Sequence, residues 1–131
     1  MRGSWLRRED GQAAVEMALV LPILCVLLLA IAQFGIAFNN YLTLTDATRT
    51  GARKAATARF TGDLGAAAKA AVVSSAAGLD TSQLNVNVDD PDWTTPGTTV
   101  TVTATYPYSI DILGWTVKSG NLTSTTQERL E

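Results

Sequence analysis

The sequence predicts an α+β chain: a long N-terminal helix, a second helix packed on a small antiparallel sheet, and about three strands in that sheet. Three observations predict it. An apolar run over residues 13–38 carries just two strongly polar residues, Glu16 and Gln33. Apolar residues at three- and four-residue spacing continue past that run to residue 56. From residue 84 the pattern changes to alternation: Asn85 and Asn87 separate Leu84, Val86 and Val88, and threonines separate Val100, Val102, Ala104 and Tyr106.

The apolar run is long enough to cross a bilayer. As a helix rising about 1.5 Å per residue it measures about 39 Å, and a bilayer core needs roughly 20 apolar residues. Pro22 stands inside it. Proline removes a backbone donor and is tolerated in membrane helices, so a kink or local unwinding is expected over residues 18–22. Arg2, Arg7 and Arg8 precede the run and favour a cytoplasmic N-terminus, although Arg49, Arg53 and Lys54 follow within reach of the far side. The single cysteine, Cys25, lies in the run and reads as a small apolar packing residue; an intramolecular disulfide is excluded.

Three processing readings fit this N-terminus. It is an uncleaved signal anchor, or a signal peptide cut after Ala30-Ile31-Ala32, or a precursor cut before the apolar run, immediately after Gly11. The second is disfavoured by the proline near the middle of the run and by apolar character that continues through Phe34, Ile36 and Phe38. A lipoprotein reading fails because Pro22-Ile23-Leu24-Cys25 lacks the small residues needed before a lipidated cysteine.

In the third reading Arg7-Arg8-Glu9-Asp10-Gly11 ends a charged leader, and Gln12-Ala13-Ala14-Val15-Glu16 opens the mature chain with glutamate at its fifth position. This arrangement resembles a type IV prepilin. Ala14-Val15-Glu16-Met17-Ala18-Leu19-Val20-Leu21-Pro22, then Ala47-Thr48-Arg49-Thr50-Gly51-Ala52-Arg53, and then Val100-Thr101-Val102-Thr103-Ala104-Thr105-Tyr106-Pro107-Tyr108 narrow the resemblance to TadE-like pseudopilins, minor subunits of the tight-adherence pilus. Met17 departs from that pattern, since an aromatic or similar residue usually follows the glutamate.

The resemblance implies a structural subunit of the bacterial cytoplasmic membrane, N-terminus inside and C-terminal domain exported. It implies a prepilin peptidase acting at Gly11 and Gln12, and partners among the major pilin, other pseudopilins, the inner-membrane assembly platform and membrane lipid. It also implies a role for Glu16. A charge at a membrane centre costs at least about 2.5–3.5 kcal/mol, and a carboxylate in a packed helix bundle needs a cation. Cleavage after Gly11 would create one, the α-amine of Gln12, whose class titrates near about 7.7–8.0. Glu16 would then pair with the amine of a neighbouring subunit as an assembly device. The plainer alternative is that Glu16 reaches the headgroups near a helix N-terminus, where negative charge is mildly favourable.

The implied organisation is a leader at 1–11, a membrane and assembly helix at 12–38, a helix extension at 39–60 and an exported α+β domain at 61–131. In the extension, Ile31, Phe34, Phe38, Tyr41, Leu42, Thr45, Thr48, Ala52, Ala55 and Ala56 form one stripe, expected to be the packing face. Asp46 and Arg49 are spaced for an ion pair. Arg49, Arg53, Lys54 and Arg59 make a basic cluster, either a solvated face or a contact for acidic headgroups or an acidic partner; Arg49, Gly51 and Arg53 are the candidate partner contacts. Gly51 weakens a lone helix by about 1 kcal/mol and would let another element approach closely.

Thr61-Gly62-Asp63 is a helix-capping break, residues 64–77 read as the second helix, and Gly78 as its C-terminal stop. Val72, Val73 and Leu79 are expected to pack that helix on the sheet. A third strand is expected over residues 120–129, with Ile112, Leu113 and Trp115 capping the core. Asp89, Asp90 and Asp92 lie in a loop whose spacing does not match an EF-hand. Trp93, Tyr106, Tyr108 and Trp115 read as buried aromatics before they read as a sugar platform.

The chain has no histidine and a net charge of −2. Histidine-based acid/base and nucleophilic catalysis are excluded, and the overall charge balance does not suggest nucleic acid as a partner. Asp90 and Asp111 are not spaced as a catalytic pair, so neither an enzyme nor a cofactor is expected. The reading that competes with a pilus subunit is a membrane-anchored or secreted module binding carbohydrate or calcium through the loop from Asp89 to Trp93.

Overall fold

The computed structural model describes residues 6–58, 63–89 and 97–130, with the backbone alone over 6–10. Arg2, Arg59, Thr61, Gly62, the loop residues 90–96 with Trp93, and the side chains of Arg7 and Arg8 lie outside what is described. Two helices and three strands follow in chain order: α1 Leu6–Thr57, α2 Leu64–Ser75, β1 Asn85–Asp89, β2 Thr99–Ile112 and β3 Trp115–Arg129. The fold is α+β, and the sheet is antiparallel in the order β1-β2-β3.

Helix α1 runs unbroken for 52 residues. The local unwinding expected near Pro22 does not occur. Proline forfeits one hydrogen bond, to the carbonyl of Ala18, and the apolar turns on either side hold the helix. The helix is long and apolar enough to cross a membrane, and its apolar stretch is unburied within the chain.

The second half of α1 carries the core. Leu44, Ala47, Thr48, Gly51, Ala52 and Ala55 are buried. The predicted stripe is therefore corrected: Thr48, Ala52 and Ala55 are on the packing face, but Ile31, Phe34, Phe38, Tyr41 and Leu42 are exposed. The packing face lies about one residue step, roughly 100°, round the helix from the predicted one. It is built of small residues because α2 and the sheet both approach α1 closely. At Gly51 an added Cβ would collide with Val72 Cγ2 and stand 3.1 Å from the Ala68 carbonyl oxygen. Thr48 keeps its hydroxyl satisfied in this core by donating to the Leu44 carbonyl at 2.6 Å.

Helix α2 begins at the cap the sequence offers: Asp63 Oδ1 accepts from the Ala66 backbone N–H at 2.8 Å. It ends at Ser75, with Ala76 as its C-terminal cap and Gly78 supplying a positive φ of 87° just beyond. Leu64, Ala68 and Val72 are buried. Val73 is exposed, contrary to expectation, because α2 lies mainly against α1 and meets the sheet chiefly along β1.

Alternation in the strands is as predicted. Val100, Val102 and Ala104 face the core, and Val86 and Val88 stand opposite Ala104 and Val102 in β1. The other face is rich in threonine, with the Thr103 and Thr125 hydroxyls 3.2 Å apart. Strand β3 starts at Trp115, five residues before the expected 120. Beyond its pairing with β1, β2 continues with β3 as a two-stranded ribbon. Ile112, Leu113 and Trp115 therefore form the tip of a long hairpin instead of capping the core; Leu113 is 77% and Trp115 81% exposed. At the other end of the sheet Leu130 is buried, held by its N–H to the Thr98 carbonyl at 2.8 Å and by its carbonyl to the Gly97 N–H at 3.1 Å.

Candidate functional site

Gly11, Gln12 and Glu16 all lie in α1, on surface open to solvent or lipid. Four residues apart, Gln12 and Glu16 share one face. The Gln12 Nε2 donates to Glu16 Oε1 at 3.2 Å. A carboxylate has about four lone-pair positions, so this contact orients Glu16 and leaves capacity for further donors. Spacing alone could have revealed the pairing of these two side chains. Among the described residues, no atom outside its own helical backbone and its chain neighbours comes within 4 Å of where a Cβ at Gly11 would stand.

The candidate partner contacts separate. Arg49 and Arg53 are exposed and, with Asp46 and Thr50, line a shallow polar notch on α1. Arg49 Nη1 lies 3.8 Å from Asp46 Oδ1, with both side chains largely in solvent; such surface pairs contribute little. Gly51 is enclosed by α2 of its own chain and is not at the surface.

Two carboxylates are held below the ordinary value of 3.8. Asp80 accepts from the Ser82 hydroxyl at 2.7 Å, the Ser82 N–H at 3.0 Å and Gln83 at 3.2 Å. Asp111 accepts from the Thr116 hydroxyl at 2.6 Å and the Ser109 hydroxyl at 2.8 Å. Each is a self-contained polar turn. Among the described residues no group of three or more Asp, Glu or Cys could hold a metal ion.

Among the described residues Tyr106, Tyr108 and Trp115 do not form a platform, and Trp93 lies outside them. Tyr106 is half-buried and its hydroxyl accepts from the Asp80 N–H at 3.3 Å. Tyr108 packs over Gly120, where a Cβ would stand 3.1 Å from the ring. Trp115 is at the hairpin tip. An open apolar groove lies between α1 and the ribbon, lined by Phe34, Ala37, Phe38, Tyr41, Tyr108, Ile110, Lys118 and Leu122. Phe34 and Phe38 stack along its α1 side with centroids 6.4 Å apart.

Residues 11–53 match the family model described as TadE-like protein. This stretch of the chain is TadE-like. It begins at Gly11 and includes Glu16, Arg49, Gly51 and Arg53. Helix α2 and the sheet, with the Tyr106-Pro107-Tyr108 segment inside β2, lie beyond the matched residues. No curated protein and no solved structure matches the chain.

Proposed function

We propose that this TadE-like chain is a structural minor pilin of a tight-adherence pilus, made as a precursor and cut after Gly11 by a prepilin peptidase. The observation that carries the reading is the family match over 11–53 on one apolar helix, with Gln12 and Glu16 side by side at its start. Helix α1 inserts in the cytoplasmic membrane, N-terminus inside, and the domain after residue 61 is exported. Its partners are the major pilin, other pseudopilins and the inner-membrane assembly platform. Its role is structural and non-enzymatic.

Cutting after Gly11 replaces a peptide bond with an α-amine on Gln12. Because the bond lies within α1, the leader turn must open before cleavage, and glycine there lowers the cost by about 1 kcal/mol relative to alanine. The new amine of one subunit then meets Glu16 of its neighbour, while Gln12 holds that carboxylate on the correct face. A charge-assisted pair in low dielectric sets the register of helices that otherwise slide on apolar contacts.

Intact and peptide mass of the protein from its native membrane tests the processing. A chain starting at Gln12 supports it, and the same spectrum shows whether the amine is free, methylated or lost to pyroglutamate. Glu16→Ala tests the pairing. The variant should insert and be cleaved normally, yet fail to enter or support a pilus. Normal piliation by that variant would sink the account of Glu16.

A further inference from the structure

Beyond residue 42, the large apolar side chains that the described residues leave exposed are Val73, Leu113, Trp115 and Val117. Three of these four belong to the tip of the β2–β3 ribbon. The tip is a two-residue turn, Leu113 and Gly114, with φ values of 52° and 84°. A turn with two positive φ values is most stable with Asn or Gly at its first position, and a leucine held in the left-handed region costs roughly 1–2 kcal/mol. The chain nevertheless holds a leucine there, 77% exposed. Ile112 pairs with Trp115 directly behind it, and a register shift between Ile110 and Asp111 leaves Val117 as the extra residue of a bulge.

The position of the ribbon gives these side chains a solvent. Strand β2 runs back along α1. Its buried part, Val100 to Ala104, shares a core with the α1 face from Leu44 onward, whereas Tyr108 and Ile110 share a groove with Phe34 and Phe38. From Ile110 to Leu113 a strand advances about 10 Å at roughly 3.3 Å per residue. The same length on α1 is about seven residues. The tip therefore stands level with about residues 27–30 of α1. A span opening at Ala13 and needing roughly 20 residues reaches about residue 32.

We infer that the β2–β3 hairpin tip dips into the outer leaflet beside α1, so that Leu113, Trp115 and Val117 form a second membrane contact whose occupant is lipid. The rest of the ribbon fits that boundary. Tryptophan is enriched at membrane interfaces. Lys118, in the groove just behind the tip, has a long apolar stem and an ammonium suited to phosphate headgroups. Asp111 enters this zone with its carboxylate already accepting two hydroxyl hydrogen bonds, which lowers the cost of leaving water. The inference rests on α1 being a membrane span and does not depend on cleavage or on Glu16.

Depth-dependent fluorescence quenching tests it on the full chain in phosphatidylcholine–phosphatidylglycerol vesicles. With Trp5→Phe and Trp93→Phe, Trp115 is the single reporter. Expected is a blue-shifted emission that loses most of its intensity when the lipid carries bromine on the upper acyl carbons and is insensitive to aqueous acrylamide. Leu24→Trp, in a chain with all three tryptophans changed to phenylalanine, reports the span itself. Quenching at Leu24→Trp with none at Trp115 overturns the hairpin inference alone; no quenching at either overturns the span reading with it. Protection of Trp115 from both quenchers, lost when protein is diluted into excess lipid, assigns the tip to a second copy of the chain and overturns lipid as its occupant. A nitroxide on Leu113→Cys with Cys25→Ala gives the same answer independently: oxygen, and not an aqueous nickel chelate, should relax it.

Discussion

One helix carries two opposite rules of composition. In its first part α1 exposes its large apolar residues, Leu19, Ile23, Leu28, Phe34 and Phe38 among them; from Leu44 onward it buries small ones, chiefly alanine with Thr48 and Gly51. Hydrophobicity alone does not decide what lies inside this protein. The outer part leaves these side chains largely uncovered by its own chain, with only Phe34 and Phe38 sharing an open groove with the ribbon. The inner part must admit α2 on one side and the sheet on another, and close approach requires little side chain. Size, more than polarity, separates the two parts.

The largest effect should come from making one truncation in both parts. Leu44→Ala empties a fully buried site and is expected to cost about 2–5 kcal/mol. Leu28→Ala, the same change in the exposed part, should leave domain stability unaltered. Denaturant unfolding in detergent micelles, followed by the circular dichroism of the sheet, compares them; equal losses would break the distinction. Next, Gly51→Val overfills the contact with Val72 and Ala68, with a loss of about 1–3 kcal/mol. Gly35→Val, in the exposed part and with open space around it, should be neutral in the same measurement. The smallest effect concerns the turn that closes the buried part. The folded pKa of Asp80 is depressed by its hydrogen bonds, Ser82 foremost. Its contribution is therefore complete above the ordinary value of 3.8 and is lost as pH falls through the lower folded value. Carboxyl carbon NMR should show that depressed titration, and Ser82→Ala should move it back toward the ordinary value.

Much of this architecture is written in short-range pattern. The extent of α1, the Asp63 cap and the alternation in β1 and β2 follow from periodicity and capping chemistry that act within a turn or two of chain. The packing face of α1 did not follow, because aromatic and branched residues dominate any periodicity count while the contact itself selects Gly51 and its alanine neighbours. Val73 and Trp115 misled for a related reason. An apolar side chain was expected to find the core, but α2 turns toward α1 and the ribbon carries Trp115 away from the core and leaves it exposed. At the candidate site Gly11 and Glu16 were legible as a motif, and both lie in the matched residues. That Gln12 reaches Glu16 was implicit in their spacing and is explicit in the 3.2 Å contact.

The absence of a break in α1 has a mechanical consequence. The exposed apolar turns and the turns that hold α2 and the sheet belong to one continuous helix from Leu6 to Thr57. Torque applied at one end therefore arrives at the other. Rotating the helix by one residue step swings the threonine-rich face of the sheet through about 100°. Whatever grips the apolar half thereby chooses the compass bearing of the half that carries the sheet, as a keyed shaft sets the heading of the vane it carries.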